Sequence, residues 1–281
     1  MNKNQNVSEL IDKAAAGDRE SLEALIGSIQ DMVFNLSLRM LGTFPDAEDA
    51  SQDILLKVMT HLSSFKKESS FSTWVFRIAT NHLINYKKHM FAGRPLDFES
   101  YGNDIRCGMP GDLPDLTQDV DKELLAEELK MSCTNVMLQC LDMESRCIFI
   151  LGTMFKLDSH TAGAILNMTP EAYRQRLSRI RRKMAGFLTE YCGEYGSGTC
   201  HCASRINYAI KSRRLDPQAL DYTAAKEINP ETAENFKNAM EDIDGLASHF
   251  TFCRMYESPE RTKQFFSSFL GSAALSFVKN A

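Results

Sequence analysis

The stretch Asp158 to Met184, DSHTAGAILNMTPEAYRQRLSRIRRKM, decides how this chain is read. Ala162, Ile165 and Leu166 give a short helix an apolar side, and Asn167 is a residue type that tolerates the left-handed conformation of a tight turn. Thr169 is placed to cap a second helix and Pro170 suits its first position. On that second helix Tyr173, Leu177, Ile180 and Met184 recur at i, i+4, i+7 and i+11, which turns Arg174, Gln175, Arg176, Ser178, Arg179, Arg181 and Arg182 outward. The pattern is a helix-turn-helix, whose second helix puts guanidinium groups on phosphates and base edges in a major groove. A solvated basic helix is the plainer alternative. The capped turn, and the absence of any acid between Ala172 and Lys183, favour DNA.

That basic run is notable because the whole chain of 281 residues carries a net charge of −5. Residues 91–121 are instead acidic, with Asp97, Glu99, Asp104, Asp112, Asp115, Asp119 and Asp121 against Arg94 and Arg106. Charge segregated in this way speaks of partners. Apolar runs stop short of the roughly 18 residues of a membrane span, and the first twenty residues are too polar for a secretory signal. No membrane insertion and a cytoplasmic location are therefore expected. Eight cysteines are too dilute for a disulfide scaffold. Cys133, Cys140 and Cys147 recur every seven residues and read as one buried helical face, while Cys107 is isolated.

Helical periodicity dominates and no alternating strand run is found, so the fold class is all-α. Residues 1–91 form a first helical unit. Within it, FPDAEDASQDILLKVMTHL opens with Pro45 and Asp46 and carries an apolar stripe of Ile54, Leu55, Val58, Met59 and Leu62. After the polar break SSFKKESS comes FSTWVFRIATNHLINYKKHM. Residues 92–121 are rich in Gly, Pro and Asp and read as an extended linker. A second helical unit runs over 122–190, and 191–281 is an extension. The acids Asp46, Glu48, Asp49 and Asp53 read first as compensation of a helix dipole. Phe71, Trp74, Arg77, Asn81, Asn85, Lys87 and Lys88 combine rings, amides and cations, the ingredients for holding unstacked bases, although each ring alone fits a core equally well.

Residues 45–88 resemble region 2 of the extracytoplasmic-function sigma factors of the sigma-70 family. Ala47, Glu48, Asp49, Gln52 and Asp53, then Phe71, Thr73, Trp74, Arg77, Ile78, Ala79 and Asn81, fall where that family's pattern has them. Residues 141–184 resemble region 4. The resemblance implies a non-enzymatic subunit that directs bacterial RNA polymerase to promoters, with no catalytic residue and no required cofactor. It implies that Asp46, Glu48, Asp49, Gln52 and Asp53 dock on the core polymerase clamp. Lys66, Lys67, Phe71, Trp74, Arg77, Asn81, Asn85, Lys87 and Lys88 would take the melted non-template strand of the minus-ten element, with Asn81 and Asn85 as base readers. Thr169, Glu171, Ala172, Gln175, Arg176, Arg179 and Arg182 would meet the duplex minus-thirty-five element. The acidic linker would thread the polymerase cleft, and an anti-sigma factor is a further partner the family allows. Departures from the pattern are Thr161-Ala162-Gly163 for Glu-Ile-Ala, Asn167 for the turn glycine, and Glu171-Ala172 for Gly-Thr. A stand-alone helix-turn-helix regulator is the alternative function.

The extension begins with YCGEYGSGTCHC, residues 191–202. Cys192, Cys200 and Cys202 are candidate ligands of a structural zinc, with His201, or His249 and Cys253 from a distance, to complete the set. A redox-responsive thiol group and an unliganded polar loop stay open beside it, and a thiol or iron-sulfur enzyme would rest on these cysteines alone. Beyond them the apolar spacing suggests a small helical domain that masks a DNA-binding face, contacts polymerase or senses a signal.

Overall fold

The computed structural model describes residues 3–86, 96–108, 113–228 and 255–271. Their regular elements are helices: α1 (Lys3–Ala15), α2 (Arg19–Leu41), α3 (Phe44–Thr60), α4 (Phe71–Ile84), α5 (Phe98–Cys107), α6 (Lys122–Gln139), α7 (Met143–Phe149), α8 (Ser159–Leu166), α9 (Pro170–Tyr191), α10 (Cys202–Lys211) and α11 (Glu260–Gly271). The all-α expectation holds. Side chains set where these helices start. Asp18, Thr43, Ser70, Asp97, Asp121, Asp142 and Thr169 each accept a hydrogen bond from a backbone N–H of the first turn that follows. Each such cap contributes about 1 kcal/mol. Gly42 ends α2 at φ 87°, a left-handed conformation that suits glycine.

The described residues form two compact units. The first gathers α1 to α4 together with α11. Its centre is α2, amphipathic over its first turns and buried on all sides from Met32 to Leu41, because α1, α3, α4 and α11 all pack against it. The second unit holds α5 to α7, most of α8, α9 and α10. There α7 continues into one wide π turn, Ile150–Met154, and Arg146 ties α7 to the end of α6 by donating to the carbonyls of Leu138, Gln139 and Leu141 at 2.8, 3.1 and 2.9 Å. Burial lowers the pKa of that arginine to about 10, and the three carbonyls offset the cost of its charge.

Three expectations change. The linker is not extended throughout: Phe98, Tyr101 and Ile105 make an i, i+3, i+7 stripe that forms α5, packed on α9 through the rings of Phe98, Tyr101, Phe187 and Tyr191. Gly102 permits this approach, since a Cβ there would lie 2.6 Å from the Tyr191 ring. Asp104 of α5 is then held by Arg205, Tyr208 and Arg214, so one linker acid is neutralised inside the second unit. The heptad of cysteines is likewise not one helical face, because Cys140 ends α6 and Cys147 lies on α7.

Nor do the described residues of the extension gather into one body. Segment 192–228 packs on α5 and α6, where buried Glu128 accepts the N–H groups of Asp221, Tyr222 and Thr223 at 2.9, 3.0 and 2.7 Å. Leu125, Ile206, Ala209 and Leu215 close the apolar side of that contact. Segment 255–271 belongs to the first unit.

Candidate nucleic-acid and partner interfaces

In the first unit α3 and α4 line an open groove of about 690 Å3. Trp74, Ile78 and Asn81 of α4, with Asn85 at its C-cap, form one wall at i, i+4, i+7 and i+11, and Asp53 and Lys57 of α3, with His61 at its C-cap, form the other. Asn81 and Asn85 are exposed, and the Asn85 amide donates to the Asn81 carbonyl at 2.8 Å. Phe71 is buried and stacks on Trp74 with centroids 5.8 Å apart, while Phe65 closes on Trp74 at 5.3 Å. Phe71 therefore supports the half-exposed indole rather than offering its own face. Lys66 is exposed, and Lys67, at φ 59°, reaches Asp12 at 2.6 Å. Arg77 is half-buried on α4, and Lys87 and Lys88 lie outside the described residues.

Lys57, His61 and His82 were not among the residues singled out from sequence. The Lys57 ammonium donates to Nδ1 of His82 at 2.7 Å, and burial, then the Lys57 charge, push the imidazole below its ordinary pKa. His82 is thus neutral at pH 7, and its 3.9 Å approach to Asp53 is not an ion pair there. The groove presents a ring, two amides and a cation around a cleft wide enough for a base. Only helical spacing from Asp53 to Lys57 to His61, on the face opposite the apolar stripe, would have found its second wall.

The acids of α3 divide between two edges. Asp46 exchanges hydrogen bonds with Thr43 at the cap. Asp49 and Asp53 are exposed, whereas Glu48 and Gln52 are half-buried and make long hydrogen bonds, 3.4 and 3.5 Å, to Thr262 of α11.

Helices α8 and α9 form the expected helix-turn-helix. Asn167 takes φ 55° in the turn, and Thr169 caps α9 by accepting from Ala172 N–H at 3.2 Å. Tyr173, Leu177, Ile180 and Met184 are all buried. Gly163, a departure from the family pattern, has a physical reason, since a Cβ there would lie 2.7 Å from the Met168 carbonyl oxygen. Gln175, Arg179 and Arg182 are exposed on α9. Glu171 pairs with Arg174 at 2.9 Å, and Arg176 with Glu144 of α7 at 2.5 Å. Surface pairs of this kind are worth about 0 to 1 kcal/mol, so phosphate can displace them. Arg181 instead donates to Thr153 Oγ1 and the Gly152 carbonyl at 3.1 and 3.0 Å, which makes it a strut between α9 and the π turn.

Residues 25–89 match the model of the family described as Sigma-70 region 2. The ECF RNA polymerase sigma-E factor of Escherichia coli K12 is 30% identical over 181 residues, 61% of this chain and 88% of that protein. The chain belongs to the extracytoplasmic-function RNA polymerase sigma factors. The ECF RNA polymerase sigma factor SigW of Bacillus subtilis is 26% identical over 183 residues, 63% of this sigma factor and 94% of SigW. The solved structure of CnrH in complex with the cytosolic domain of CnrY aligns at 20% identity over 64% of this chain and 94% of that one, with a TM-score of 0.46. As a sigma factor the chain is an initiation factor and not an enzyme.

Some of the thiols of this sigma factor come together in the second unit. Backbone pairing joins Cys192 to Cys200, with Gly193 N–H donating to the Cys200 carbonyl at 2.9 Å. Cys200 and Cys202 line a small cavity with Cys133 of α6, whose sulfur accepts from the Tyr101 hydroxyl at 3.0 Å. Burial raises the Cys200 thiol and pushes Cys133 and Cys202 up to about 12. Among the described residues no group of three or more His, Cys, Asp or Glu side chains is arranged to hold a metal ion. His201 turns to Glu194 at 3.3 Å, and His249 and Cys253 lie outside the described residues. Among the described residues no helix is long and apolar enough to cross a membrane.

Proposed function

We propose that this sigma factor binds bacterial RNA polymerase core in the cytoplasm and directs it to the promoters of a specialised regulon. In this reading α3 docks on the polymerase clamp through Asp49, Asp53, Glu48 and Gln52. The α3–α4 groove receives a flipped non-template base of the minus-ten element between Trp74, Asn81 and Asn85. The basic side of α9 lies in the duplex of the minus-thirty-five element. The observation that carries the proposal is the groove, where a half-exposed indole stands beside two exposed amides. Stacking is worth about 1 to 3 kcal/mol per base, enough to offset unstacking of a few kcal/mol.

Run-off transcription with purified core polymerase tests this. A promoter-dependent transcript that requires the chain supports it. Duplex binding with no co-migration with core and no transcript would indicate the stand-alone regulator.

The thiol cluster supports a smaller proposal. We propose that Cys192, Cys200 and Cys202 bind a structural zinc, a reading supported by Cys200 and Cys202 lining one small cavity with Cys133. About one zinc per purified chain, lost in Cys200→Ser, supports it; a metal-free, fully folded chain retires it. The extension is further proposed to modulate the polymerase interaction.

A further inference from the structure

Segment 255–271 lies on α2 and on α3, the helix that the proposed function gives to polymerase. Three contacts hold it. The Asn35 side chain, buried in the middle of α2, donates to the Tyr256 carbonyl at 2.7 Å and accepts from the Tyr256 N–H at 2.9 Å. One turn earlier Asp31 accepts from Ser258 N–H at 2.7 Å. The Tyr256 ring, fully buried, packs edge-on against Phe44 at the start of α3 with centroids 5.7 Å apart, and Arg39 stands 5.9 Å over it. The helix that follows buries Thr262, Phe266 and Leu270, one stripe at i, i+4 and i+8.

The register of this stripe is what matters. Thr262 is fully buried, and its hydroxyl meets both Glu48 and Gln52, an i, i+4 pair on α3. A partner helix laid on that edge of α3 would have to occupy the volume held by Thr262. Asp31, Asn35 and Arg39 continue the covered polar strip along α2 at intervals of four. The segment also brings one cation near Asp31: Lys263 pairs with Glu257 of the segment itself at 2.8 Å, and the Asp31 charge adds to what raises its pKa.

We propose that residues 255–271 are an intramolecular clasp that competes with RNA polymerase core for the Glu48–Gln52 edge of α3, so that the sigma factor binds core only when the clasp lets go. The inference rests on the reading of α3 as the polymerase-docking helix. Two binders of one face exclude each other, and the apparent affinity for core is reduced by the fraction of molecules in which the face is open. The clasp and its face are in one chain, so this self-competition does not depend on protein concentration.

The test uses the full chain, with and without Thr262→Arg. An arginine has no room at a fully buried threonine and opens the clasp while leaving every residue of α2 and α3 in place. Core affinity is measured by fluorescence anisotropy, and hydrogen exchange of residues 255–271 is followed in the unbound chain and in the holoenzyme. The expected results are core binding about tenfold tighter for Thr262→Arg, together with loss of exchange protection at Tyr256 and Ser258 when wild-type chain binds core. Equal affinities with the clasp exchanging rapidly in Thr262→Arg would overturn the clasp and leave the sigma reading standing. Persistent protection of Tyr256 in the holoenzyme would also overturn it, as would weaker binding by Thr262→Arg. Absence of core binding by either form would instead remove the reading of α3 on which the clasp depends.

Discussion

Asn35 and Tyr256 lie 221 residues apart in the chain and are joined by two buried hydrogen bonds, one in each direction. A side-chain amide here does the work of a strand neighbour, satisfying both backbone groups of one residue. Asn35→Ala removes both of these hydrogen bonds from the buried Tyr256 backbone. The expected loss is about 2 kcal/mol, from a typical 1 to 3 kcal/mol per uncompensated group and partial relaxation. Thermal unfolding by circular dichroism measures it, and an unchanged midpoint would show that the pairing contributes nothing.

The π turn and the recognition helix are fitted to each other at Gly152. A Cβ on Gly152 would sit 2.5 Å from both Leu177 Cδ2 and Tyr173 Oη. Tyr173 is itself fixed by donating to the Ile148 carbonyl at 3.0 Å, so it has little room to retreat. Gly152→Ala should cost about 1 to 3 kcal/mol as an overpacked contact. Duplex binding should weaken with it, because α9 loses its seat. A variant as stable as the wild type would contradict the close fit.

The arginines of α9 should separate by role. Arg179→Ala and Arg182→Ala should weaken duplex binding uniformly and each reduce the salt slope of binding by about 1, with little effect on stability. Arg181→Ala should instead lower the melting temperature, since its guanidinium is spent on Thr153 and Gly152. Titrations of a promoter duplex at several salt concentrations, with melts of the same proteins, check this. Equal salt slopes for wild type and Arg179→Ala would count against the assignment.

Thiol chemistry should sort by burial. In metal-free protein at pH 8, Cys107, which is exposed, should react with an aromatic disulfide first. Cys133, Cys140, Cys147 and Cys202, each pushed up to about 12 by burial, should follow only as the protein opens. Peptide mapping of partly labelled chain reads the order, and early labelling of Cys202 would be the contrary result.

His82 supplies a pH dependence with a definite sign. Its folded pKa lies below the ordinary 6.5, chiefly through burial and then through the Lys57 charge. Below pH 6.5 the unfolded chain therefore binds the proton more readily than the folded one, and stability falls as pH falls through that window. The imidazole resonance in an NMR titration should move with a midpoint below 6.5, and Lys57→Ala should raise that midpoint part of the way back. A wild-type midpoint at or above 6.5 would contradict the neutral His82.

Much of this was written in the sequence, and what was not has physical causes. The helix-turn-helix was legible because Thr169, Pro170 and the Tyr173, Leu177, Ile180, Met184 stripe are local signals, and each is where local rules put it. Helix α5 was hidden because its three apolar residues sit among glycines and acids, and it is held by ring contacts to residues some ninety positions away, such as Phe98 with Phe187. Cys133 was assigned to a buried face by a heptad that crosses a helix end, and only tertiary packing sets it beside Cys200 and Cys202. The groove was half legible: the amides of α4 stood out, while Lys57 and His61 are ordinary residues until α3 is placed opposite α4. No local pattern links Thr262 to Glu48, 214 residues earlier.

The most direct measurement of the central claim is promoter opening. Core polymerase and the full chain are mixed with a promoter carrying 2-aminopurine in the non-template strand of the minus-ten element, and its fluorescence is followed. A rise that requires both core and chain, and that falls at least tenfold in rate or amplitude with Asn81→Ala, is the expected result, about 1.4 kcal/mol of lost base contact. A rise unaffected by Asn81→Ala and by Trp74→Ala, or no rise with any promoter, would contradict the assignment of the α3–α4 groove.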